Sequence, residues 1–164
     1  MIKIWTTTIL FLLIFSIEGC KKDSEIMDDF KCKVNGKIWK PYSTDLKYGR
    51  TLDAHLIDDG KTFFIAAYQE NTRQSISFSI FLDANVTIGT YNFNSTKNSA
   101  DFYDTPNGLK YITQSGNNGT LKIISLDKTN KTVTGEFSFR ALDTSTNSSV
   151  DITDGQFNIK YKTY

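Results

Sequence analysis

Strict alternation of apolar and polar side chains is the feature that most constrains what this chain can fold into. In residues 75–82 the even positions are Ile, Phe, Ile and Leu, whereas three of the four odd positions are serine. Residues 132–142 alternate in the same way, with Val133, Phe137 and Phe139 on one side. Successive side chains of a β-strand point to opposite faces, so the pattern indicates strands with one face in the core and one in water. No window shows a convincing helical period, and the expected fold is all-β.

Turn signals divide the chain into many short strands. Asn35-Gly36 lies between two alternating runs, residues 30–34 and 37–41, and predicts a tight hairpin because both central residues of a type I′ turn need positive φ. Further turns are predicted at residues 59–60, 105–108, 127–130 and 154–155. The last of these would divide the C-terminal stretch into two strands, and the short connections favour an antiparallel meander.

Two closures of such a meander fit the sequence. The fold we favour is a single antiparallel β-sandwich, in which two sheets pack face to face. The alternative is a flattened up-and-down β-barrel, which requires the same alternation of side chains. The pattern is weaker in residues 94–119, so the strand boundaries there are the least defined by the sequence.

Two residues near the first hairpin are predicted to be buried. Cys32 alternates with Phe30 and Val34 on one strand face, which predicts a small core residue rather than a reactive thiol. Trp39 shares its alternation with the polar Lys37, so the pattern alone would leave it outside. A tryptophan that follows an Asn-Gly hairpin and is close to a proline more often folds over the end of the sheet, and burial is our prediction.

The N-terminal segment has the order of a secretory signal peptide. Residues 1–19 begin with Lys3 as the positive charge, continue through an apolar run at 9–15 and end in small Gly19. The run is shorter than the roughly 20 residues that a membrane-spanning helix needs, so cleavage is favoured over a permanent span. Cys20 directly after Gly19 resembles the lipobox of bacterial lipoproteins, in which the cysteine is the site of lipid attachment and becomes the new N-terminus. The other interpretation is a plain secretory signal with an incidental cysteine.

A charged segment joins this cysteine to the β domain. Residues 20–29 show no apolar period, which predicts a flexible tether ahead of a domain at residues 30–164. The Cys-Lys-Lys-Asp start is similar to that of lipoproteins of the Bacteroidota, and lysine followed by acidic residues resembles the signal that exports some of them to the cell surface. The expected location is the outer membrane, lipid-anchored and surface-exposed, with the periplasmic face as the alternative.

The mature domain resembles a known group of proteins at both of its ends. Residues 30–41 form a Phe-x-Cys-x-Val-Asn-Gly-x-x-Trp-x-Pro motif, and residues 135–139 and 152–161 contribute further matching strands. These segments are similar to a family of small uncharacterised lipoproteins of the Bacteroidota. The resemblance implies the envelope location and the fold. Because its motifs are turns and core aromatic residues, it implies no reaction and no ligand.

No constellation of catalytic or metal-binding residues stands out. His55 is the only histidine, and Asp53 lies two residues before it on the same strand face. The pair has the form of a base with an orienting carboxylate, but two polar residues on a solvated face is the interpretation we favour. No Gly-x-Ser-x-Gly elbow supplies a nucleophile, and the acidic residues at 58–59, 101–104 and 151–154 fit turns better than a metal site. We therefore predict no catalytic residue, no metal and no cofactor.

Charge and aromatic content indicate which kinds of partner the chain can bind. The 19 basic and 18 acidic residues give a net charge of +1, which leaves no basic field for a nucleic acid. Several of the 8 tyrosines fall near turns, where exposed rings would stack on sugars. The tyrosines concerned are Tyr42, Tyr48, Tyr68, Tyr91, Tyr103 and Tyr111. The predicted function is a lipid-anchored binding or structural module of the cell envelope, with a glycan-binding accessory protein or an unrecognised hydrolase as alternatives.

Overall fold

The computed structural model describes residues 29–44, 51–94, 97–116 and 118–164. The predicted signal peptide, Cys20 and all of the tether except Asp29 lie outside the described residues. Within the described part, no helix is long and apolar enough to cross a membrane.

Across these ranges the chain forms twelve strands, most of them joined by short turns. They are β1 (Asp29–Val34), β2 (Lys37–Trp39), β3 (Leu52–Ile57), β4 (Thr62–Gln69), β5 (Gln74–Phe81), β6 (Gly89–Asn92), β7 (Ser99–Asp104), β8 (Leu109–Ile112), β9 (Gly119–Asp127), β10 (Thr132–Asp143), β11 (Ser148–Lys160) and β12 (Lys162–Thr163). Short 3₁₀ turns occur at Asp58–Gly60 and Thr105–Asn107. The prediction of an all-β fold is confirmed.

All twelve strands belong to one branched sheet. Its main path runs β12-β3-β4-β5-β7-β8-β10-β11-β1-β2, and β9 pairs with β10 and carries β6 on its other edge. Every strand pair is antiparallel except β12 with β3, which is parallel, so the sheet is largely antiparallel with one parallel pair at that edge. The path ends at β2 and β12 without closing on itself, so the alternative of a flattened barrel is wrong for the described strands.

The sheet folds into two layers around a shared aromatic core. Phe63 of β4 and Phe78 of β5 face Phe137 of β10 and Phe157 of β11. The ring centroids of Phe78 and Phe137 are 5.1 Å apart, and those of Phe63 and Phe157 are 6.3 Å apart. This arrangement is sandwich-like, and burial of such large rings contributes most of the energy that holds the two layers together.

The two burial predictions at the first hairpin are confirmed. Asn35 and Gly36 have φ values of 48° and 81°, as a type I′ turn requires, and the hairpin places Cys32 opposite Trp39. Each of these two residues is 3% exposed, and the indole packs edge-on against the ring of Phe30 with centroids 6.1 Å apart. Burial raises the pKa of the Cys32 thiol to about 12, which fits an inert core residue.

Glycine and phenylalanine residues face each other reciprocally in the β10–β11 pair. Gly135 is the partner of Phe157, and Gly155 is the partner of Phe137. A Cβ atom placed on Gly135 would lie 2.4 Å from Cζ of Phe157, and one on Gly155 would lie 2.7 Å from Cδ1 of Phe137. Each ring therefore occupies the space that a side chain on the opposite strand would need.

The predicted turn at residues 154–155 is wrong, because β11 runs without a break from Ser148 to Lys160. Asp154 has a φ of 53°, and the pairing of β10 with β11 shifts register between Phe137 and Phe139. These are the features of a β-bulge, which absorbs one extra residue and bends the strand while pairing continues on both sides. The Asp-Gly pair indicated a left-handed residue correctly, but the chain does not reverse there.

Candidate functional site

A cleft of about 340 Å³ opens at the end of the molecule where β12 joins β3. Its walls come from the 3₁₀ turn Asp58–Gly60, the segment before β6, the turn after β9 and β12 itself. The volume lies at the lower end of the range of about 300–1,000 Å³ that small-molecule sites occupy. We call this site the end cleft.

The floor of the end cleft is apolar and rigid. Leu56, Val86 and Tyr161 line it and are 7%, 1% and 4% exposed. The Tyr161 hydroxyl donates to the backbone oxygen of Asp127 at 3.4 Å, which fixes the ring against the turn after β9. Burial raises the pKa of this phenol, and the nearby Asp127 carboxylate adds to the shift. The hydroxyl therefore stays protonated at physiological pH.

One rim of the end cleft is a turn with unusual backbone geometry. Asp58, Asp59 and Gly60 have φ values of 53°, 54° and 91°, so two residues with side chains adopt the left-handed conformation in succession. Such a residue costs of the order of 1–2 kcal/mol, and it persists only where the surroundings hold it in place. The backbone N–H of Val86 donates to the Gly60 carbonyl at 2.7 Å, and that of Lys61 donates to Asp58 at 3.1 Å. These bonds hold the backbone of the turn at the rim of the end cleft.

Three polar side chains around the end cleft have no partners in the described part of the chain. Asp59, Asn85 and Lys128 are exposed, and their side chains make no hydrogen bond or ion pair with other described residues. Lys128 extends from a turn in which the Asp127 carboxylate accepts hydrogen bonds from the backbone N–H groups of residues 129 and 130. An anionic, an amide and a cationic group thus converge on one apolar floor.

Tyr164 also borders the end cleft, but its ring lies on the outer face of β3, opposite to Leu56. Tyr164 is 70% exposed, and its backbone N–H donates to the Leu56 carbonyl at 3.2 Å. The ring packs against the imidazole of His55 with centroids 5.3 Å apart and an interplanar angle of 37°. Phe64 packs against the same imidazole with centroids 6.1 Å apart, so His55 contacts both Phe64 and Tyr164.

Asp53 and His55 lie together on the outer face of β3, opposite to Ala54 and Leu56, but that face is partly covered. Their side chains are 32% and 16% exposed, because β12 lies alongside β3 and brings Lys162 and Tyr164 over them. Nε2 of His55 lies 2.7 Å from one carboxylate oxygen of Asp53, and Nζ of Lys162 donates to the other at 3.1 Å. Burial alone would raise the pKa of Asp53, but the hydrogen bonds from His55 and Lys162 outweigh it and hold this pKa below its usual range.

This network holds a strand in place, and no nucleophile is paired with it among the described residues. The Asp53 carboxylate joins the imidazole of His55 to Lys162 of β12 and so ties β12 to β3.

A second concavity, of about 390 Å³, lies on the outer face of β9, β10 and β11. Its charged groups already have partners: Nζ of Lys122 lies 4.0 Å from the Glu136 carboxylate, and Nζ of Lys33 lies 2.9 Å from that of Asp154. These pairs are exposed and contribute little stability, but they neutralise one another across the strands. A ligand there would have to compete with them, which makes the end cleft the better candidate.

Two of the acidic residues considered for metal binding, Asp101 and Asp104, accept hydrogen bonds from neighbouring side chains. No group of three or more His, Cys, Asp or Glu side chains in the described residues is arranged to hold a metal ion. Asp101 accepts a hydrogen bond from the Ser77 hydroxyl at 2.6 Å, and burial raises its pKa. Asp104 accepts one from the amide of Asn107 at 2.7 Å, within the turn that the sequence predicted at residues 105–108.

The tyrosines singled out in the sequence do not form a common surface. Tyr42 is 45% exposed and Tyr111 is 8% exposed, while Tyr68, Tyr91 and Tyr103 are half-buried. Tyr48 lies outside the described residues. A further exposed ring that sequence reasoning missed is that of Tyr164, which is 70% exposed. The sequence could have indicated this exposure by its spacing. Tyr164 follows the buried Tyr161 by three residues, and an odd spacing puts two side chains on opposite sides of an extended chain.

Comparison with known proteins gives one match. A family model described as a domain of unknown function matches residues 29–159. The match covers the residues that line the end cleft except Tyr161, Thr163 and Tyr164. No curated protein matches the chain, and no solved structure matches it.

Proposed function

This chain belongs to the DUF6252 family, a domain of unknown function, and from that premise we propose that it is a lipid-anchored binding module of the cell envelope. The observation that carries the proposal is the end cleft, in which three polar side chains without described partners surround an apolar floor. Such a combination is typical of sites that bind small molecules or the ends of larger ones.

The anchor is supported by the order of the N-terminal residues. A charge, an apolar run, Gly19 and Cys20 follow one another as in a lipoprotein signal, and the tether gives the domain reach from the membrane surface. Each buried methylene of an acyl chain contributes about 0.8 kcal/mol, so a cysteine that carries several chains is held firmly. The proposed location is the outer membrane, with the domain exposed at the cell surface.

Binding without turnover is the activity we propose. Asp59 is the one carboxylate among the described residues that line the end cleft. Glycoside hydrolysis ordinarily uses two carboxylates about 5–9.5 Å apart, one of them as general acid. The imidazole of His55 is engaged by Asp53 and by two aromatic rings, which supports a structural role over that of a general base.

Replacement of Cys20 tests the anchor. Cys20→Ser should abolish labelling by a fatty-acid analogue and release the protein from the membrane fraction. Cys32→Ala is the matched control, since it removes the other cysteine and should leave labelling intact. Lipid labelling that persists in Cys20→Ser would contradict the proposal, and protease treatment of intact cells tests surface exposure separately.

Blocking the end cleft tests the binding role. Asn85→Trp places a large ring at the rim, whereas Asn92→Trp places the same ring at an exposed position of β6 outside the cleft. We expect the first variant to lose the stabilisation by ligand that the unmodified protein shows in a thermal-shift screen of envelope components, and the second to retain it. Equal responses from both variants would rule out the end cleft as the binding site.

A further inference from the structure

We infer that the outer side of the first hairpin docks on an anionic lipid surface. This inference rests on the proposed lipid anchor and adds to it the face that the domain turns towards the membrane. It is carried by an exposed isoleucine, by the lysines around it and by the place where the tether joins the domain.

The first hairpin presents an exposed apolar side chain at the edge of the sheet. Ile38 is 78% exposed, more than any other large apolar side chain in the described residues. It lies in β2, the last strand on the path of the sheet, and no described strand pairs with the outer edge of β2. The next residue, Trp39, is 3% exposed and turns inward, so Ile38 faces away from the core.

Three lysines surround Ile38 on the same face of the sheet. Lys33 lies opposite Ile38 in the β1–β2 pair. The same register places Lys31 opposite Lys40, which follows the last residue of β2. Side chains at alternate positions and directly opposite each other share one face of a sheet. We call these four residues the hairpin patch, and its mixture of lysines with an exposed aliphatic side chain is typical of segments that lie in a membrane interface.

The positive charge of the hairpin patch is only partly neutralised. Lys33 pairs with the carboxylate of Asp154 at 2.9 Å, but Lys31 and Lys40 make no ion pair within the part of the chain that the structure describes. On its other side Lys31 lies opposite the uncharged Gln156. Like charges directly opposite each other on a sheet are destabilising, and an anionic surface would relieve the repulsion between Lys31 and Lys40.

The hairpin as a whole carries an excess of positive charge. Residues 29–41 contain four lysines and one aspartate, which give a net charge of +3, and the Asp154 carboxylate lowers it to +2. Each lysine close to an anionic surface favours the docked state roughly fivefold, the equivalent of about 1 kcal/mol. Lys37, exposed beside the turn, adds to this attraction.

The tether joins the domain beside the hairpin patch. Asp29 is the first residue of β1 and lies two residues before Lys31. Eight residues separate it from Cys20, and a fully extended chain of that length spans at most about 30 Å. A module on so short a linker meets its target at an effective concentration in the millimolar range, so a weak attraction is enough to dock it.

Lysine labelling on vesicles tests the inference. The lipidated protein is reconstituted in vesicles of phosphatidylcholine, with or without phosphatidylglycerol, and treated with a water-soluble acetylating reagent; mass spectrometry reads each lysine. An ammonium group held against phosphate headgroups is shielded from a reagent in solution. We expect Lys31 and Lys40 to react roughly fivefold or more slowly on the anionic vesicles. Lys128, exposed at the end cleft, should react equally on both, and about 1 M salt should abolish the difference.

Charge reversal locates the contact. Lys31→Glu combined with Lys40→Glu replaces one like-charge pair by another, so the fold should keep its stability, and the protection of Lys37 should be lost. Lys97→Glu combined with Lys128→Glu makes the same change in net charge at exposed positions outside the hairpin and should retain the protection.

Ile38→Ser provides a second variant that leaves the core intact. It removes the exposed aliphatic side chain and keeps every lysine of the hairpin patch. The protection of Lys31 and Lys40 should fall, because less apolar surface is buried at the interface.

The outcomes separate this inference from the proposed anchor. Equal reaction rates on neutral and anionic vesicles, or protection that survives the reversal at Lys31 and Lys40, would overturn the docking inference while the lipid on Cys20 still upholds the anchor. Lipid labelling that persists in Cys20→Ser would overturn both. The binding role of the end cleft is tested separately, by Asn85→Trp.

Discussion

Substitution of Gly155 by alanine tests the reciprocal packing at the centre of the β10–β11 pair. A Cβ atom there would lie 2.5 Å from the backbone oxygen of Phe137 and 2.7 Å from both Cδ atoms of its ring. The ring is 3% exposed and touches the rings of Phe78 and Phe157, so it has no free space to move into. The carbonyl belongs to a strand that is paired on both edges.

The expected loss in the free energy of unfolding is about 3 kcal/mol. Excess volume in a packed core costs about 1–3 kcal/mol, and the upper end applies because a ring and a backbone atom must both shift. A domain of this kind has a total stability of about 5–15 kcal/mol, so the variant should fold but melt about 6–12 °C lower.

Gly89→Ala is the matched control for the same change. Gly89 lies in β6 of the same sheet, its φ is not positive, and nothing lies within 4 Å of the Cβ position. Alanine there should change stability by at most about 1 kcal/mol, in the stabilising direction, because it restricts the unfolded chain. Urea unfolding followed by circular dichroism measures both variants. If Gly155→Ala is within about 0.5 kcal/mol of the unmodified protein, the reasoning is refuted.

Three further predictions concern single side chains. Trp39→Ala should lower the free energy of urea unfolding by about 3–5 kcal/mol. Trp39→Phe should lower it less, because phenylalanine keeps a ring in the core while it removes an indole N–H that has no partner among the described residues. Cys32 should react with a thiol reagent at pH 8 only after unfolding, since burial raises its pKa to about 12; labelling at the rate of a free thiol would contradict this. Hydrogen bonds from Ser145 lower the pKa of Asp143, so its stabilisation is present above the unfolded pKa and is lost as pH falls. Asp143→Asn should therefore be less stable than the unmodified protein at pH 7 and should lose less stability between pH 5 and 2. Equal losses of stability in the two proteins over this pH range would contradict the prediction.

The local pattern of the sequence was enough to predict the strands but not their partners. The alternation around Phe78 and Phe137 defines an inward face, and both residues are in the core. The same alternation does not show that β5 pairs with β7 rather than β6, or that β1 pairs with β11. Pairing between distant segments depends on the energy of the whole core, which no short window contains.

The errors at the candidate site have the same origin. Asp53 and His55 were expected in water because β3 alone has an inner and an outer face, and the covering strand β12 lies far along the chain. The Asp-Gly pair at 154–155 indicated positive φ, but whether a strand then reverses or bulges depends on its neighbours, here β1 and β10. Tyr164 escaped notice because its role depends on the same long-range pairing.

For the export route that we propose, the position of β1 bears on how the protein reaches its folded state. β1 pairs with β11 over its whole length, and the bond from the Asp151 N–H to the Asn35 side chain spans 116 residues of sequence. A chain that crosses a membrane from its N-terminus delivers β1 first, yet only the small hairpin with β2 is available until β11 arrives. Contacts so distant in sequence slow folding and leave strand edges exposed meanwhile. The sheet therefore reaches its folded arrangement only after β11 is available to pair with β1.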